Sequence, residues 1–590
     1  MKTLTETIED KVKQAFAAAG YDPELGHVSV SNRPDLCEFQ CNGAMAGAKK
    51  YHKAPFVIAD EVAQKLAGDA AFAKAESVKP GFLNLTLSPE FLAEELNEMA
   101  SDAKFGYRGE ETPKRVVVDY GGANAAKPLH VGHLRSAVIG ESIKRIEKYA
   151  GNEVTGDVHL GDWGLQMGLI IEQLRDMKPD LPYFDPNFKG PYPAEAPFTI
   201  SELEKIYPEA SARSKKDAAF AARAHEATLK LQSGDPACTA IWKHIMNVSK
   251  KDLKKNYDSL NVHFELWKGE SDVQPLIPGM VKDLQDRGIA HESQGAVVVD
   301  VAEDSDKIEI PPCLVQKSDG AALYATSDLA TILDREATLH PDRYIYVADK
   351  RQSLHFTQVF RTARKAGFVK PETELLYVGF GTMNGKDGKP FKTRDGGVMR
   401  LENLVADITD AVREKMAGSD GLPKDEMEAT ARKVGLAALK YGDLSNQASK
   451  DYVFDPERFS SFEGNTGPYI LYTIVRINSI LNRYRSEGGT LEESERHIGS
   501  PAADVEKNLG LCLSRFPEVM ETAREELAPH KICQFMYETA DAFSKFYTNV
   551  KILAEPDEAK KKSYLSLLTL VRDMLTTCTD LLGMEVPERM

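Results

Sequence analysis

The chain has 590 residues, which is too many for a single hydrophobic core and predicts roughly two to four domains. Its hydrophobic fraction of 42% and charged fraction of 28% are those of an ordinary soluble protein. The formal net charge of −16 argues against a protein that coats nucleic acid, because such a protein needs a broad basic surface. One structured RNA held by local basic patches is still compatible with this charge.

The N-terminal residues predict a helix and not an export signal. Residues 1–20 carry acidic side chains where a signal peptide needs an apolar run. Ile8, Val12 and Phe16 recur every fourth residue, as in an amphipathic helix. No apolar stretch in the chain approaches the roughly 18–20 residues that span a bilayer, so we expect no membrane association.

The cysteines favour a cytoplasmic protein without zinc. There are 7 of them, scattered and odd in number, as is typical of a reducing compartment. Only Cys37 and Cys41 are close together, and no second Cys/His pair follows at the spacing of a metal site. We therefore interpret both as small buried residues and expect no bound metal.

The chain divides into three regions by its patterns. Residues 1–110 mix helical patterns with short strands such as "GFLNLTLS", which predicts an α+β domain. Residues 111–404 alternate strand and helix patterns. Residues 405–590 are dominated by helical periodicity and predict an all-α domain. Its clearest helix buries one stripe, formed by Ile470, Ile474, Ile477 and Leu481.

The middle region predicts a doubly wound parallel sheet. Its clearest strands are "VVVDY" (116–120), "GAVVVDV" (295–301), "RYIYVAD" (343–349) and "LLYVGFG" (375–381). Strands separated by helices indicate βαβ units. Residues 178–265, which are rich in proline and lysine, are predicted to be an insertion into this sheet.

The segment "NAAKPLHVGHLRSAVIG" (124–140) follows the first of these strands and begins a helix. In open α/β sheets, ligands bind at the carboxyl ends of strands, where helix N-termini attract anions. His130 and His133 flank the predicted helix start, and Gly132 allows close approach of the backbone. This HxGH motif alone leaves three possibilities: metal ligands without an obvious third partner, helix caps, or contacts to phosphate.

A second basic motif favours the phosphate interpretation. "GTMNGKDGKPFKTRDGG" (381–397) follows a late strand and carries Lys389, Lys392 and Arg394 among its glycines. We refer to it as the Lys loop. An exposed basic hairpin is the alternative, but together with HxGH the pattern is typical of a mobile clamp on a polyphosphate.

The pair of motifs resembles the HIGH and KMSKS signatures of class I aminoacyl-tRNA synthetases. Longer stretches are similar to arginyl-tRNA synthetases and cover nearly the whole chain: "DLCEFQCNGAMAGAKK", the HxGH segment, "HLGDWGLQMG", "QKSDGAALYATSDLATILDR", "GKPFKTRDGG", "FEGNTGPYILYTIVRINSIL" and "DLLGMEVPERM". The loop reads KPFKT instead of KMSKS, a relaxed form that is usual in this family. Its individual lysine roles are accordingly less defined.

The resemblance implies a domain plan and an activity. Residues 1–110 would be the N-terminal additional domain that meets the tRNA elbow, 111–404 a Rossmann-like catalytic domain, and 405–590 a DALR-like anticodon-binding bundle. The enzyme would activate L-arginine with ATP and Mg²⁺ to arginyl-adenylate and transfer arginine to the 3′-terminal adenosine of its tRNA. A monomeric, bacterial-type enzyme is expected from the resemblance.

The resemblance also implies an arginine site. By position in the family's motifs, its residues would be Asp119, Asn124, Tyr324, Asp328 and Gln358. Two carboxylates, a phenol and two amides suit a guanidinium and an α-amino group, and would serve an apolar amino acid badly. Tyr324 and Asp328 are four residues apart and so share a helix face. Gln166 is a further candidate near the substrate.

The ATP site follows in the same way. His130, Gly132, His133, Gly379, Gly381 and Lys392 would contact ATP, with His130, His133, Lys127, Lys389 and Lys392 as the catalytic groups. Two alternatives are a small-molecule nucleotidyl transferase, which shares the HxGH chemistry, and a catalytically silent RNA-binding relative. The long helical C-terminal region speaks against the first, and the intact motif residues speak against the second.

Overall fold

The computed structural model describes residues 2–318, 320–390, 399–416 and 423–590. Contacts divide the chain into two compact units. The terminal unit combines Met1–Glu111, Ser461–Asp580 and Glu585–Met590, and the central unit combines Thr112–Ser460 with Leu581–Met584. The predicted boundary between residues 404 and 405 lies inside the central unit.

The N-terminal part of the terminal unit is an antiparallel sheet with helices. Its elements are α1 (Leu4–Ala18), β1 (Val28–Val30), β2 (Phe39–Cys41), α2 (Gly43–Tyr51), α3 (Pro55–Leu66), β3 (Phe72–Val78), β4 (Phe82–Leu87) and α4 (Pro89–Ser101). The strand order is β1-β2-β4-β3. Thr3 and Glu6 form a capping box at α1, and the predicted stripe of Ile8, Val12 and Phe16 is buried. Cys37 and Cys41 are buried thiols, as predicted.

The central unit contains the parallel sheet. Its elements in chain order are β5 (Arg115–Asp119), α5 (Val131–Tyr149), β6 (Glu153–Asp157), α6 (Leu165–Met177), α7 (Ile200–Ser214), α8 (Ala218–Gln232), α9 (Pro236–Ser259), α10 (Glu270–Val273), α11 (Ile277–Asp286), β7 (His291–Ser293), β8 (Ala296–Val299), β9 (Cys313–Gln316), α12 (Tyr324–Thr338), β10 (Arg343–Asp349), α13 (Ser353–Lys365), β11 (Glu374–Phe380), β12 (Met383–Asn384), α14 (Leu401–Met416), α15 (Lys424–Leu444), β13 (Tyr452–Val453) and α16 (Pro456–Phe459).

The sheet has the order β11-β10-β5-β6, and all its pairings are parallel. The strand order reverses beside β5, since β6 lies on one side of it and β10 on the other. Such a switch point is where open α/β sheets bind ligands, at the carboxyl ends of the strands. The HxGH segment leaves β5 at this point.

Helices cover both faces of the sheet. Val117 and Tyr344 pack in one core cluster with Leu329 of α12 and Val359 of α13. Helix α5 contacts β5, β6 and β10 and contributes no residue to that cluster. Alternation along the strands therefore directs one set of side chains to α12 and α13 and the other to α5, which confirms the doubly wound prediction.

One predicted strand lies elsewhere. "GAVVVDV" forms β8, which belongs to a separate antiparallel sheet of order β7-β8-β9 and not to the parallel sheet. Ser293 pairs with Ala296, so the turn has two residues, Gln294 and Gly295, both with positive φ. This is a tight hairpin turn, and its apolar run resembles a buried parallel strand by composition alone.

The C-terminal part of the terminal unit is helical, with α17 (Gly467–Ser486), α18 (Asp504–Leu513), α19 (Phe516–Glu525), α20 (Pro529–Asn549) and α21 (Glu558–Leu581). The hydroxyl of Thr466 caps α17, and Pro468 lies in its first turn. The predicted stripe from Ile470 to Leu481 is buried. Within the described ranges, no helix combines the length and apolarity that crossing a bilayer requires.

Candidate active site

The HxGH turn holds both imidazoles through backbone hydrogen bonds. His130 precedes α5, and its Nδ1 accepts a hydrogen bond of 3.0 Å from the backbone N–H of Gly132. Nδ1 of His133 accepts one of 3.1 Å from the backbone N–H of His130. Because both Nδ1 atoms accept, each neutral ring carries its proton on Nε2.

These imidazoles are neutral near pH 7. Burial, together with the charge of Lys127, lowers the pKa of His130, and burial lowers the pKa of His133 to about 3. The two ring centroids lie 3.9 Å apart. Two neutral Nε2–H donors at a helix N-terminus can bind phosphate oxygens, because the helix dipole also favours an anion there.

Residues 399–401, which follow the C-terminal end of the Lys loop, lie against the HxGH turn. The backbone N–H of Val131 donates to the carbonyl of Met399 at 3.1 Å. The N–H of Leu401 donates to the carbonyl of Leu129 at 3.0 Å. The two basic motifs, far apart in sequence, are therefore joined by a short antiparallel pairing.

The predicted lysines have different surroundings. Lys389 is exposed, and its carbonyl accepts a hydrogen bond of 2.8 Å from Gly385 in a tight turn. Lys392 and Arg394 lie outside the described residues. Lys127 is half-buried, with Nζ 4.7 Å from the ring centroid of Tyr207 on α7. A helix of the predicted insertion therefore borders the HxGH segment.

Asp119, at the carboxyl end of β5, is bound by a buried arginine. Nη2 of Arg335 lies 2.6 Å from Oδ2 of Asp119 and 2.8 Å from Oδ2 of Asp157. Arg335 is only 1% exposed. Burial raises the pKa of Asp119, and the charge of Arg335 opposes that effect. Asp119 is thus oriented before any substrate arrives, with part of its charge already balanced.

Asp328 lies between two histidines. Nε2 of His355 is 2.5 Å from Oδ2 of Asp328, and Nε2 of His159 is 3.8 Å from Oδ1. His159 follows β6 in the left-handed region, with φ 41°. Tyr324 begins α12 one turn before Asp328, as predicted, and is 76% exposed. Asp328 is therefore preoriented by side chains that come from β6 and α13.

Glu270 is a further acid at this place. It begins α10, and its backbone N–H donates to the carbonyl of Leu160 at 3.1 Å. Burial raises the pKa of Glu270 to about 7, with Asp162 and Asp328 adding repulsion. A cation that enters beside Glu270 and Asp328 relieves this repulsion and favours the ionised form of Glu270.

Asn124 lies on an extension of the sheet. The backbone N–H of Ala125 donates to the carbonyl of Gly161 at 3.0 Å, which continues the pairing of β5 with β6. A Cβ on Gly161 would lie 2.3 Å from Oδ1 of Asn124, so a side chain there would displace the Asn124 amide. Gln166 donates from Nε2 to the carbonyl of Ala125 at 2.5 Å, which assigns it a role in holding this turn.

The remaining predicted residues lie on β11 and α13. A Cβ on Gly379 would lie 3.0 Å from Cε1 of Tyr377, and a Cβ on Gly381 would lie 2.5 Å from Oδ1 of Asp451. Gly379 lies near the carboxyl end of β11 and Gly381 directly after it, and at both positions neighbouring groups leave little room for a side chain. Nε2 of Gln358 donates to the carbonyl of Pro311 at 2.8 Å, which leaves its oxygen as the acceptor.

Sequence reasoning missed His159, His355, Glu270 and Arg335. His159 begins "HLGDWGLQMG" and Arg335 ends "QKSDGAALYATSDLATILDR", so two stretches already quoted contained them. His355 lies three residues before the candidate Gln358, and Glu270 carries no local pattern of this kind. The parallel sheet and the helices packed on it bring all four residues to the site.

Comparison with known proteins decides the family. The model of the class I tRNA synthetase (R) catalytic domain matches residues 96–456. Those of the arginyl tRNA synthetase N terminal domain and the DALR anticodon binding domain match 2–87 and 470–590. The arginine–tRNA ligases of Agathobacter rectalis and Alkaliphilus oremlandii are 59% and 52% identical to the chain, each over 100% of both proteins. The chain belongs to the arginyl-tRNA synthetase family.

Solved structures agree with this assignment. The arginyl-tRNA synthetase of Plasmodium falciparum is similar with a TM-score of 0.78 at 25% identity, over 100% of both chains. That of Thermus thermophilus has the same fold, with a TM-score of 0.73 at 23% identity over 100% of both chains. The family match to the catalytic domain ends at residue 456, close to the end of the central unit at Ser460.

Proposed function

We propose that this arginine–tRNA ligase activates arginine at the carboxyl edge of its parallel sheet. One observation carries the proposal: the residues that follow the Lys loop pair with the backbone of the HxGH turn beside β5. The carboxylate of Asp119 lies at the end of the same strand. Arginyl-adenylate and pyrophosphate form there from arginine and ATP. Arginine then passes to the 3′-terminal adenosine of its tRNA for protein synthesis.

The HxGH turn binds the phosphates in this proposal. The arginine carboxylate attacks the α-phosphorus, the bond to the β-phosphate oxygen breaks, and the electron pair leaves with pyrophosphate. Nε2–H groups of His130 and His133 donate to the phosphate oxygens as charge builds. Lys127, Lys389 and Lys392 neutralise the leaving group. No covalent enzyme intermediate is required, because catalysis rests on positioning and electrostatics.

The backbone without side chains at the carboxyl end of β11 suits the nucleotide base. We assign Gly379 and Gly381 to the adenosine of ATP and Gly132 to the space beside its phosphates. In the part of the chain that the structure describes, no group of three or more His, Cys, Asp or Glu side chains is arranged for a metal ion. Mg²⁺ would therefore be held chiefly by the phosphates of ATP, and no step is assigned to it.

The acidic end of the site, which carries Asp119, Asp328 and Glu270, binds arginine in this proposal. Asp328 and Glu270 face a guanidinium, whose flat fork fits two carboxylates and whose charge relieves their repulsion. Asp119, Asn124, Tyr324 and Gln358 take the remaining polar contacts, including the α-amino group. Lysine is discriminated against because its single ammonium cannot bind both carboxylates in the way that the planar, two-pronged guanidinium of arginine does. Unpaired buried carboxylates then oppose its binding.

The outer parts of the chain serve the tRNA. We infer that residues 1–110 meet the tRNA elbow and that the C-terminal helices read the anticodon, with the catalytic domain and its insertion at 178–265 between them in sequence. Residues 405–460 would belong with the catalytic domain, since they group with the central unit. A monomer working in the cytoplasm is part of the same proposal.

One assay tests the proposal. Purified protein is incubated with ATP, labelled amino acids and total tRNA, and again without tRNA. Charging of tRNA with arginine, and little charging with lysine, is expected. Charging with lysine, or nucleotidyl transfer to a small molecule, would overturn it.

A further inference from the structure

A buried arginine joins α5, the helix that begins at the HxGH motif, to the N-terminal end of the Lys loop. Arg135 lies on α5 two residues after His133 and is 1% exposed. Its Nη1 donates to the carbonyl of Gly381 at 2.7 Å and to that of Lys450 at 3.0 Å. Gly381 directly follows β11 and is the first residue of the Lys loop.

The guanidinium is itself fixed by two partners. Nε donates to Oδ2 of Asp443 at 3.0 Å, and the Arg135 Cζ lies 5.0 Å from the ring centroid of Tyr452. The Tyr452 hydroxyl donates to the same Oδ2 of Asp443 at 2.8 Å. Charge-assisted hydrogen bonds and the stacked ring hold the planar fork in one orientation.

The segment after α15 packs directly against Gly381. A Cβ there would lie 2.6 Å from the backbone carbonyl of Lys450. The N–H of Gly381 donates to the carbonyl of Ala448 at 2.9 Å, and the next residue, Thr382, donates to Oδ1 of Asp451 at 2.7 Å. Residues 448–451 and Arg135 therefore fix the backbone at Gly381 from several sides.

Both ends of the Lys loop are thus bound at the HxGH segment. At the C-terminal end, Met399 and Leu401 pair with the backbone of Val131 and Leu129. At the N-terminal end, Gly381 is bound by Arg135. We infer that Arg135 is a positioning residue for adenylate formation. It fixes the start of the Lys loop, and the bare backbone of Gly381, relative to His130 and His133. This inference rests on the proposed roles of the two motifs.

A second buried arginine provides a matched control. Arg343 is 7% exposed and pairs with Glu147 at 2.7 Å and Glu374 at 3.0 Å. It begins β10, so it lies at the amino end of the strand, the end opposite to the site. An Arg→Lys change at either position keeps the charge but loses the fork. Of these two arginines, Arg135 is the one that contacts both ATP-binding motifs.

The test measures steady-state charging of tRNA by the full-length protein. Arg135→Lys should lower kcat and raise KM for ATP, so that kcat/KM for ATP falls about tenfold to a hundredfold, because a displacement near 1 Å is that costly. KM for arginine should stay within about twofold, since the acidic end is untouched. Arg343→Lys should lower the melting temperature and leave kcat and both KM values near those of the wild type.

A milder variant decides the case if Arg135→Lys does not fold. Tyr452→Phe keeps the stacked ring and loses only the hydrogen bond to Asp443. It should move kcat/KM for ATP in the same direction by about threefold to tenfold, less than Arg135→Lys does, because the guanidinium keeps its own contacts and is displaced less. Variants that change only the melting temperature, or change KM for arginine as much as KM for ATP, would overturn the inference. A wild type that charges no tRNA with arginine would instead refute the proposed function.

Discussion

At the HxGH turn, each histidine is held by a backbone N–H within three residues of it, at 3.0 and 3.1 Å. At the acidic end, two carboxylates are held by side chains far along the chain, Asp119 by Arg335 and Asp328 by His355. The first region is neutral and is built locally. The second is charged and depends on the packed sheet. Substitutions of the histidines in the first should therefore damage mainly chemistry, and substitutions in the second should damage folding as well.

The largest effect is expected at Arg335. Arg335→Met leaves the partly buried Asp119 and the buried Asp157 without their cationic partner, at a cost of about 3–5 kcal/mol in stability. The midpoint of urea unfolding should fall strongly, and KM for arginine should rise, because Asp119 is no longer oriented. Denaturation followed by circular dichroism, together with charging kinetics, measures both.

A surface pair provides the control for Arg335. Arg361 forms a two-point pair with Asp306 and is more exposed. Arg361→Met should leave the urea midpoint and KM for arginine close to the wild type. If Arg335→Met behaved like Arg361→Met, Asp119 and Asp157 would not depend on the buried guanidinium.

The next effect is expected at His133. His133→Ala removes one donor to the developing charge, so the rate of arginyl-adenylate formation should fall about a hundredfold to a thousandfold. Affinity for tRNA and the urea midpoint should remain nearly unchanged, because the imidazole makes only a local hydrogen bond. Pyrophosphate exchange with tRNA present, and filter binding of tRNA, separate these outcomes. Loss of tRNA binding would contradict the phosphate role.

The difference between the two regions also explains what the sequence could predict. The histidines, Gly132 and the Tyr324–Asp328 spacing are local patterns, and the structure places them as the pattern requires. Asp119 could be assigned by family position, but its pairing with Arg335 crosses from β5 to α12 and has no sequence signal. The doubly wound sheet was predictable from alternation. β8 was misassigned to it because an apolar run does not reveal which strands will pair.

Gly132→Ala tests the geometry of the HxGH turn without removing either histidine. An added Cβ would lie 2.7 Å from Cε1 of His130, so Gly132→Ala must displace the ring that caps α5. Such crowding costs about 1–3 kcal/mol, and a loss near 1.4 kcal/mol in the transition state is about tenfold in rate. Gly279 is the control, because it also lies in the first turn of a helix and its Cβ would meet open space. Gly279→Ala should leave adenylate formation unchanged; equal effects would show that the ring is not displaced.

The smallest effect is a pH dependence at the acidic end. Burial raises the pKa of Glu270 to about 7, so in the unliganded site its carboxyl is mostly protonated below that pH and ionised above it. A guanidinium binds the ionised form, so arginine must release this proton when it binds below pH 7. The Kd for arginine should therefore rise by up to about tenfold per pH unit below 7 and be flat above it. Glu270→Gln should bind arginine more weakly at pH 8 and lose this slope, which calorimetry at several pH values measures. A slope that persisted in Glu270→Gln would place the titrating group elsewhere.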